Sequence, residues 1–594
     1  MREQADRALR TAIGRLLESR TPGGFWEGRL SPSALSTATA VSALSLADRS
    51  ADAERIRGGV EWLRRHQNQD GGWGDTPDSP SNLSTSLLVS AALKLASEDL
   101  QTAGLDERLD GYLSRVAGVS QDERREAVCA AYAPDRTFAV PILTNMALAG
   151  LTPWQRIPSL PFELAACPPG LFRFLRLHVV SYALPALIAV GLTLEHHRPP
   201  AFFLRRWLRT VLRKKVLRKL ERIQPAGGGF LEAVPLTSFV TMSLLPLYGH
   251  EHPVVRQGLS FLRASFRKDG SWPIDSNLSV WVTTSAVTAL LEAGHEMDAD
   301  ALRTWLLSAQ HRERHAYTNA APGGWAWTDL PGGVPDADDT AGAVLALIRL
   351  GENGPAVAAG VRWLLDLQNA DGGWPTFCRG WGRLPFDRSA PDLTAHVLRA
   401  LSAYDPQKRQ ANVQTAISRG VAYLHAHVRE DGSWRPLWFG NQAAADMANP
   451  VLGTARVLRA LSVLEPEAEA FRCGCRFLVD AQNNDGGWGG EAGVASSMEE
   501  TALAVSALAD ELNDTKVREA VERGVFHMVD RVETGVWLQP APIGLYFARL
   551  WYSEDAYPVV WTVEALGRVL KRLGTTADAD ERRVNNGDRT AHAS

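Results

Sequence analysis

Apolar residues recur along most of this chain at intervals of three and four positions, in stretches that end at short glycine-rich turns. Two such stretches are "VRWLLDLQNADGGW", which ends at Trp374, and "TAGAVLALIRLG", which starts at Thr340. This spacing places the apolar side chains on one face of a helix. Few stretches alternate apolar and polar residues with the period of two that is typical of strands. The pattern predicts an all-α fold.

A tryptophan follows the glycine-rich turn in register, which indicates an internal repeat. Copies end at Trp73, Trp272, Trp374, Trp434, Trp488 and Trp537, and degenerate copies end at Trp26 and Phe230. From Trp374 onward the spacings are 60, 54 and 49 residues, in the range of helical repeat architectures. Glycine ends the first helix of each unit because it accepts positive φ without strain. We interpret these repeats as structural elements, which predict the fold and not the chemistry.

Length, charge and cysteine content narrow the class of protein. A chain of 594 residues that is 45% hydrophobic is expected to form about two to four domains. The net charge of -4 gives no reason to expect nucleic acid as a partner. Five cysteines fit a reducing compartment, and the pair Cys473 and Cys475 lacks the second cluster of a zinc site. We find no signal-peptide core and no apolar run of about 18 residues that predicts a membrane span.

One acidic cluster stands directly before an apolar helix. In "PDADDTAGAVLALI" the carboxylates are Asp336, Asp338 and Asp339. Aspartate commonly caps a helix N-terminus, so one of them is expected to do so. Trp325 and Trp327 lie just upstream, and crowded carboxylates beside aromatic surface cannot all ionise. A carboxyl group that stays protonated at neutral pH is a proton donor.

A second polar pair occurs in "DRSAPDLTAHVLRAL". Asp392 and His396 are four residues apart, so they share one face of the predicted helix and the carboxylate could orient the imidazole. Taken alone, a histidine on a buried face is more often part of the core than of a catalytic site.

These motifs together resemble the triterpene cyclases, and squalene-hopene cyclase above all, over roughly residues 8 to 570. The specific features are the repeats and "DADDTA" at 336–341, supported by "GGWAW" at 323–327, "SVWVTT" at 279–284, "DLTAH" at 392–396 and "GSWRPLW" at 432–438. The resemblance implies two α/α barrels. We expect one to comprise 1–34 plus 277–575 with the acid motif, and the other 35–276. The polar end 576–594 is expected to be disordered.

The resemblance also implies residue roles. Asp338 looks like the acid that protonates a terminal alkene, held by Asp336 and Asp339, with His396 and its partner Asp392 sharpening its acidity. The implied cavity residues are Trp281, Trp327, Phe377, Phe386, Trp438 and Tyr182, with Phe547 and Tyr552 in a segment that departs from the family. Phe377 and Leu452 stand where hopene-forming enzymes usually carry tyrosine. The chemistry implied needs no cofactor and no metal.

The segment 204–223 carries nine Lys or Arg and one Glu, with apolar residues at roughly helical spacing. It is interpreted either as a solvated outer helix or as an interfacial helix on anionic lipid. Because squalene dissolves only in membranes, the family resemblance favours the interfacial interpretation. We therefore expect a peripheral protein on the cytoplasmic side of the cell membrane, whose partners are a polyprenoid and the membrane surface, with homodimerisation left open.

Three alternatives remain open from the sequence. The first is a related cyclase that uses oxidosqualene or another linear polyprenoid. The second is a catalytically silent α/α toroid that binds lipid or protein. The third is a protein prenyltransferase β-subunit, which would need a zinc site that the sequence does not supply.

Overall fold

The computed structural model describes residues 1–96, 103–132, 139–177, 182–316, 318–546 and 550–591, with side chains described as far as Gly574. The described residues form 23 α-helices and two short antiparallel sheets. In the sheets, Pro32–Ser33 pairs with Trp272–Pro273, and Gly544–Tyr546 pairs with Leu550–Tyr552. The predicted all-α class is confirmed.

The first barrel has a closed inner ring of five helices, each of which contacts the next. These are α2 (Ala34–Ala47), α4 (Leu83–Ala96), α7 (Ala139–Leu148), α9 (Leu184–His197) and α11 (Val234–Tyr248). The outer helices are α3 (Ala53–Arg65), α5 (Ala103–Ala117), α6 (Gln121–Ala131), α8 (Pro169–Phe174), α10 (Phe203–Ile223) and α12 (Pro253–Ala264).

The second barrel has an inner ring of six helices that also closes on itself. They are α13 (Ser279–Glu292), α15 (Ala337–Arg349), α17 (Pro391–Tyr404), α19 (Pro450–Leu464), α21 (Met498–Leu508) and α23 (Tyr557–Ala591). The outer helices are α1 (Arg2–Glu18), α14 (Ala299–Ser308), α16 (Pro355–Leu367), α18 (Ala411–Ala426), α20 (Glu469–Asp480) and α22 (Thr515–Thr534). Helix α1 packs on α22 and α23. The backbone of the polar tail continues α23 to Ala591.

Inner and outer helices differ in composition because their surroundings differ. Nearly every residue of α2 and α13 is buried, as a helix enclosed on all sides requires apolar and small residues around its circumference. In α3, only one face is buried, and charged residues occupy the other. Two concentric rings of this kind define an α/α barrel, so the predicted architecture of two such barrels is confirmed.

Each repeat turn ties an outer helix to an inner one through its tryptophan. The indole Nε1 of Trp434 donates to the carbonyl of Leu424, ten residues earlier, at 2.9 Å. The backbone amide of Trp434 donates to Thr454 Oγ1 on α19 at 3.0 Å. The same indole bond to a leucine ten residues back is made by Trp26, Trp73, Trp272, Trp374 and Trp488.

The glutamine of the repeat links one unit to the next. Gln368 Nε2 donates to Gly372 O in its own turn and to Ala416 O in the next outer helix, at 2.7 and 2.9 Å. Gln482 makes the equivalent pair of bonds to Gly486 and Ala520. The glutamine therefore joins neighbouring outer helices.

We expect Trp434→Phe to lower the free energy of unfolding by about 2–4 kcal/mol, because it removes the indole donor, leaves the Leu424 carbonyl buried without its partner and opens a cavity. Urea titration followed by circular dichroism measures this loss. Trp207→Phe is the control, since Trp207 is 63% exposed, and it should change stability by less than about 0.5 kcal/mol. Equal effects of the two substitutions would contradict the proposed role of the indole bond.

Candidate active site

The acidic cluster forms the start of inner helix α15. Asp336 is the N-cap residue, and its Oδ1 accepts the backbone amide of Asp339 at 2.9 Å. The chain is fixed on both sides of the cap, because Asp336 N donates to Trp325 O and Ala337 N donates to Thr376 O. These bonds hold the start of α15 against the repeat turns, which explains why the aspartates directly follow a repeat turn in the sequence.

Burial makes two of the three carboxyls weak acids. Asp336 and Asp339 are both buried. Burial raises the pKa of Asp336 to about 7. Burial, and after it the nearby Asp336, raise the pKa of Asp339 well above its usual range. Because the low dielectric disfavours the charged form, this pair retains a proton at neutral pH. The crowding expected from the sequence is therefore found at Asp336 and Asp339.

Asp338 differs from its two neighbours in exposure and in partner. Its side chain keeps 18% of its surface accessible, and Oδ1 lies 2.6 Å from Nδ1 of His396 on α17. Burial lowers the pKa of His396 in spite of this carboxyl. Asp338 is thus the member of the cluster that can present a carboxyl oxygen to a ligand while the imidazole holds the other oxygen.

Close helix packing brings these two residues together. Gly342 lies one turn after Asp338 on α15, between α13 and α17. A Cβ atom at this position would lie 2.9 Å from Thr284 Oγ1 and 3.4 Å from His396 Cε1. Glycine therefore allows three inner helices to approach beside the acid. The sequence analysis did not identify this residue.

The predicted pairing of Asp392 with His396 does not form. Among the described residues, no hydrogen bond joins the two side chains. Both oxygens of Asp392 instead accept the backbone amide of Leu437, at 3.2 and 3.3 Å. The imidazole is turned to Asp338 on the neighbouring helix. Burial, and after it repulsion from Asp338, raise the pKa of Asp392 to about 6.

Five of the predicted cavity rings form one group, and the sixth, Trp281, lies beside the acid. Ring centroids are separated by 4.9 Å for Tyr182 and Phe377, 5.5 Å for Tyr182 and Phe386, and 6.3 Å for both Trp327 with Phe377 and Phe386 with Trp438. The Trp281 ring lies edge-on to His396 at 6.0 Å. Tyr182 comes from the first barrel, so both barrels contribute to this aromatic group.

The C-terminal wall contains residues that the sequence analysis did not identify. The hydroxyl groups of Tyr552 and Tyr557 are 3.2 Å apart, and Tyr557 stacks on Trp561 with centroids 4.6 Å apart. The guanidinium carbon of Arg456 lies 5.1 Å from the centroid of the Trp281 ring. Phe547 lies outside the described residues. Tyr557, Trp561 and Arg456 are not marked by any repeat motif, so only the fold reveals them.

Within the part of the chain that the structure describes, no group of three or more His, Cys, Asp or Glu side chains could hold a metal ion. The five cysteines are all free thiols. No described helix combines the length and the apolar character needed to cross a membrane.

The protein is a double α/α barrel with an acid at the start of an inner helix and aromatic rings beside that acid. This combination is typical of the class II terpene cyclases. Residues 276–571 match the squalene-hopene cyclase C-terminal domain, and residues 9–107 match the squalene-hopene cyclase N-terminal domain. The chain belongs to the squalene-hopene cyclase family. This assignment favours the cyclase interpretation over the prenyltransferase alternative.

Similar proteins agree with this assignment. The chain is 27% identical to the squalene-hopene cyclase of Alicyclobacillus acidocaldarius, over 95% of this chain and 97% of that protein. It is 26% identical to the enfumafungin synthase of Hormonema carpetanum, over 94% of this chain and 48% of that protein. A terpene cyclase-glycosyl transferase fusion protein of Humicola fuscoatra is 25% identical over 96% of this chain. The chain spans about half the length of these last two relatives.

A solved structure confirms the fold. The ent-copalyl diphosphate synthase from Streptomyces platensis superposes with a TM-score of 0.58, over 96% of this chain and 99% of that one, at 19% identity. At this level of identity the likeness concerns the fold alone.

We expect the stability of the protein to fall as the pH rises from about 5 to 8. Between the ordinary aspartate pKa of about 4 and the raised pKa of Asp336, about 7, the native state holds a proton that the unfolded chain has released. Raising the pH through this window therefore favours unfolding. Asp336→Asn keeps an oxygen for the cap and cannot ionise, so it should reduce the decline by at least about 1 kcal/mol.

Urea titrations at pH 5 and pH 8 measure the decline. Part of it will remain in the variant, because burial also raises the pKa of Glu499 to about 8, of Glu500 to about 7 and of Glu554 to about 8. The exposed Asp530 provides the control, and Asp530→Asn should match the wild type. Parallel pH dependences for wild type and Asp336→Asn would contradict the expectation.

Proposed function

We propose that this protein is a class II triterpene cyclase of the squalene-hopene cyclase type, which converts squalene into a hopene-type polycyclic product. The observation that carries the proposal is the 2.6 Å bond between Asp338 and His396, at the start of an inner helix and beside a group of aromatic rings. A carboxylic acid that acts alone as the proton donor must be held in a fixed orientation and screened from water.

The reaction begins with proton transfer from Asp338. The O–H bond of its carboxyl group breaks and leaves the electron pair on oxygen, while the π electrons of the terminal alkene form a C–H bond. The resulting tertiary carbocation is attacked by the next alkene, and successive ring closures move the positive charge along the chain. The reaction ends when the last cation loses a proton to water, or captures water and then releases a proton. Asp338 takes up a proton from solvent before the next turnover.

Aromatic rings are suited to guide this charge. A ring face attracts a cation through its quadrupole, and unlike a carboxylate it does not remove a proton. The neighbouring rings of Trp327, Phe377, Phe386 and Tyr182 provide such faces near the acid. Phe377 and Leu452 both stand where hopene-forming enzymes usually carry tyrosine, and this alters the polarity of the cavity surface. We therefore expect these positions to determine which product forms.

Incubation of detergent-solubilised protein with squalene tests the proposal. Gas chromatography with mass spectrometry should detect a cyclised C30 product from the wild type. Asp338→Asn should reduce product formation by at least about a thousandfold, because the amide cannot supply the proton. The exposed Asp530→Asn is the matched control and should retain wild-type turnover.

The remaining outcomes separate the alternatives. Product from oxidosqualene or another linear polyprenoid, and none from squalene, would keep the acid mechanism and change the substrate. Full turnover by a folded Asp338→Asn protein would reject Asp338 as the donor. A folded wild type that cyclises none of these substrates would favour the silent lipid-binding toroid.

We infer that the protein docks peripherally on the cytoplasmic face of a membrane through the N-terminal part of α10. This part carries exposed apolar side chains on a strongly basic helix, with 62% exposure for Phe202, 71% for Phe203 and 63% for Trp207. Phe174 of α8 is 83% exposed and Trp381 is 63% exposed. Exposed apolar residues grouped in this way are typical of lipid- or protein-binding surfaces.

Contacts on its other side fix the orientation of this helix. Arg209 is buried and forms an ion pair with Glu163 at 2.9 Å, and Lys219 donates to the carbonyls of Ala165 and Cys167 at 2.9 and 3.0 Å. Buried anchoring of this kind leaves the aromatic side chains free to enter the interface between headgroups and acyl chains. The basic residues of α10 would add attraction to anionic lipid.

Sedimentation with lipid vesicles tests the docking. The double substitution Phe203→Ser and Trp207→Ser should weaken binding by at least about tenfold, because it removes two aromatic side chains from the interface. Vesicles that contain phosphatidylglycerol should bind more protein than pure phosphatidylcholine, and the difference should shrink at high salt. Phe526→Ser, on α22 at 48% exposure, is the control. Equal loss with Phe526→Ser would contradict this surface.

A further inference from the structure

Arg456 is a cation on the inner face of the catalytic barrel that the mechanism above does not use. It lies on α19, half-buried, with its guanidinium carbon 5.1 Å from the Trp281 ring centroid and 5.6 Å from that of Phe439. Among the described residues, no carboxylate oxygen lies within 4 Å of it and none of its donors has a hydrogen-bond acceptor. Aromatic faces, and no counter-ion, hold this charge in place.

The charge of Arg456 acts on the acid site. Burial lowers the pKa of the His396 imidazole, and the charge of Arg456 adds to that effect. The same charge partly offsets the rise that burial and Asp338 cause in the pKa of Asp392. The other charged groups that act on His396 are Asp338 and, more weakly, Arg399, and Asp392 also faces Asp338. Trp281 lies between the two groups, since it contacts Arg456 with its face and His396 with its edge.

Alkene protonation creates a charge that this site must stabilise. When Asp338 gives up its proton, a carboxylate forms in a largely buried position, next to two carboxyl groups and Asp392. A neutral imidazole donates a hydrogen bond to that carboxylate and supplies no positive charge. A fixed cation on the other side of the Trp281 ring from His396 stabilises the carboxylate in the transition state. Direct contact would instead ionise Asp338 before the substrate arrives.

We propose that Arg456 is a positioning residue of the acid site, whose fixed charge, held on the faces of Trp281 and Phe439, stabilises the carboxylate left on Asp338 when the alkene is protonated. The inference rests on the proposed cyclase function. It adds a residue that acts through Asp338 and His396 without contact to the substrate.

Kinetics of three variants test this role. Arg456→Met keeps an unbranched chain that packs on aromatic rings and removes the charge. We expect kcat with squalene to fall about tenfold with little change in KM, the size expected for one charge acting over several ångströms in a protein interior. Arg456→Lys should recover most of the loss. Arg518→Met, an exposed outer-helix arginine, should have no effect.

A second substrate separates charge from packing. An epoxide oxygen is a stronger base than an alkene, so opening oxidosqualene demands less of the acid. Arg456→Met should therefore lose less activity with oxidosqualene than with squalene. Equal losses with both substrates, or no recovery in Arg456→Lys, would overturn the proposal and leave Arg456 as a packing residue.

Titration of histidine labelled with carbon-13, followed by NMR, needs no turnover. The His396 signal, assigned with His396→Gln, should titrate about one pH unit higher in Arg456→Met than in the wild type. An unmoved titration would show that the charge does not reach the site and would overturn the inference. A wild type that cyclises no substrate would reject the proposed function, while this titration would still decide whether Arg456 acts on His396.

Discussion

The hydrogen bond from a buried tryptophan indole to a leucine carbonyl ten residues earlier is the interaction on which both barrels depend. It holds each glycine-rich turn against the end of its outer helix, and the amide of the same tryptophan is held by a hydroxyl on an inner helix, as in Trp374 with Leu364 and Thr394. Because the bond recurs in six units, outer and inner helices alternate with the same geometry, and the inner helices run parallel to one another.

Parallel inner helices give the second barrel two electrically different ends. At the C-terminal end of the inner helices, the carboxylate of Glu292 forms ion pairs with Arg349 and Arg459 at 2.7 Å and with Arg568 at 3.2 Å. The arginine side chains in this cluster outnumber the carboxylates that they contact. Burial and the nearby Arg459 lower the pKa of Arg399 to about 9. The excess positive charge faces the negative C-terminal ends of α13, α15, α17 and α19. The opposite end, where Asp338 and Asp392 occupy first turns, carries the positive ends of the helix dipoles.

The features that could be predicted from the sequence are those that are local and periodic. The repeats predicted the helices and their turns, and the family resemblance named Asp338 and His396, which the structure brings into contact. The partner of Asp392 could not be predicted, because helical spacing places it near His396 while the amide of Leu437 arrives from a distant turn. Arg456 was overlooked for a related reason. In an amphipathic pattern, an arginine is expected at the protein surface. Only the closed ring of inner helices places Arg456 on the same side as the acid.

An enzyme that protonates an alkene must stabilise an anion at one point and a cation a few ångströms away. Helix N-termini and a fixed guanidinium favour the carboxylate but repel the carbocation, so positive charge cannot be spread along the path of the substrate. Placing Arg456 against the faces of Trp281 and Phe439 confines its charge to one side of the acid. The rings around Phe377 contact one another and form a separate aromatic surface for the cation. In the proposed reaction, the separation of charged and aromatic surfaces within one barrel is therefore what allows the acid and the carbocation to coexist.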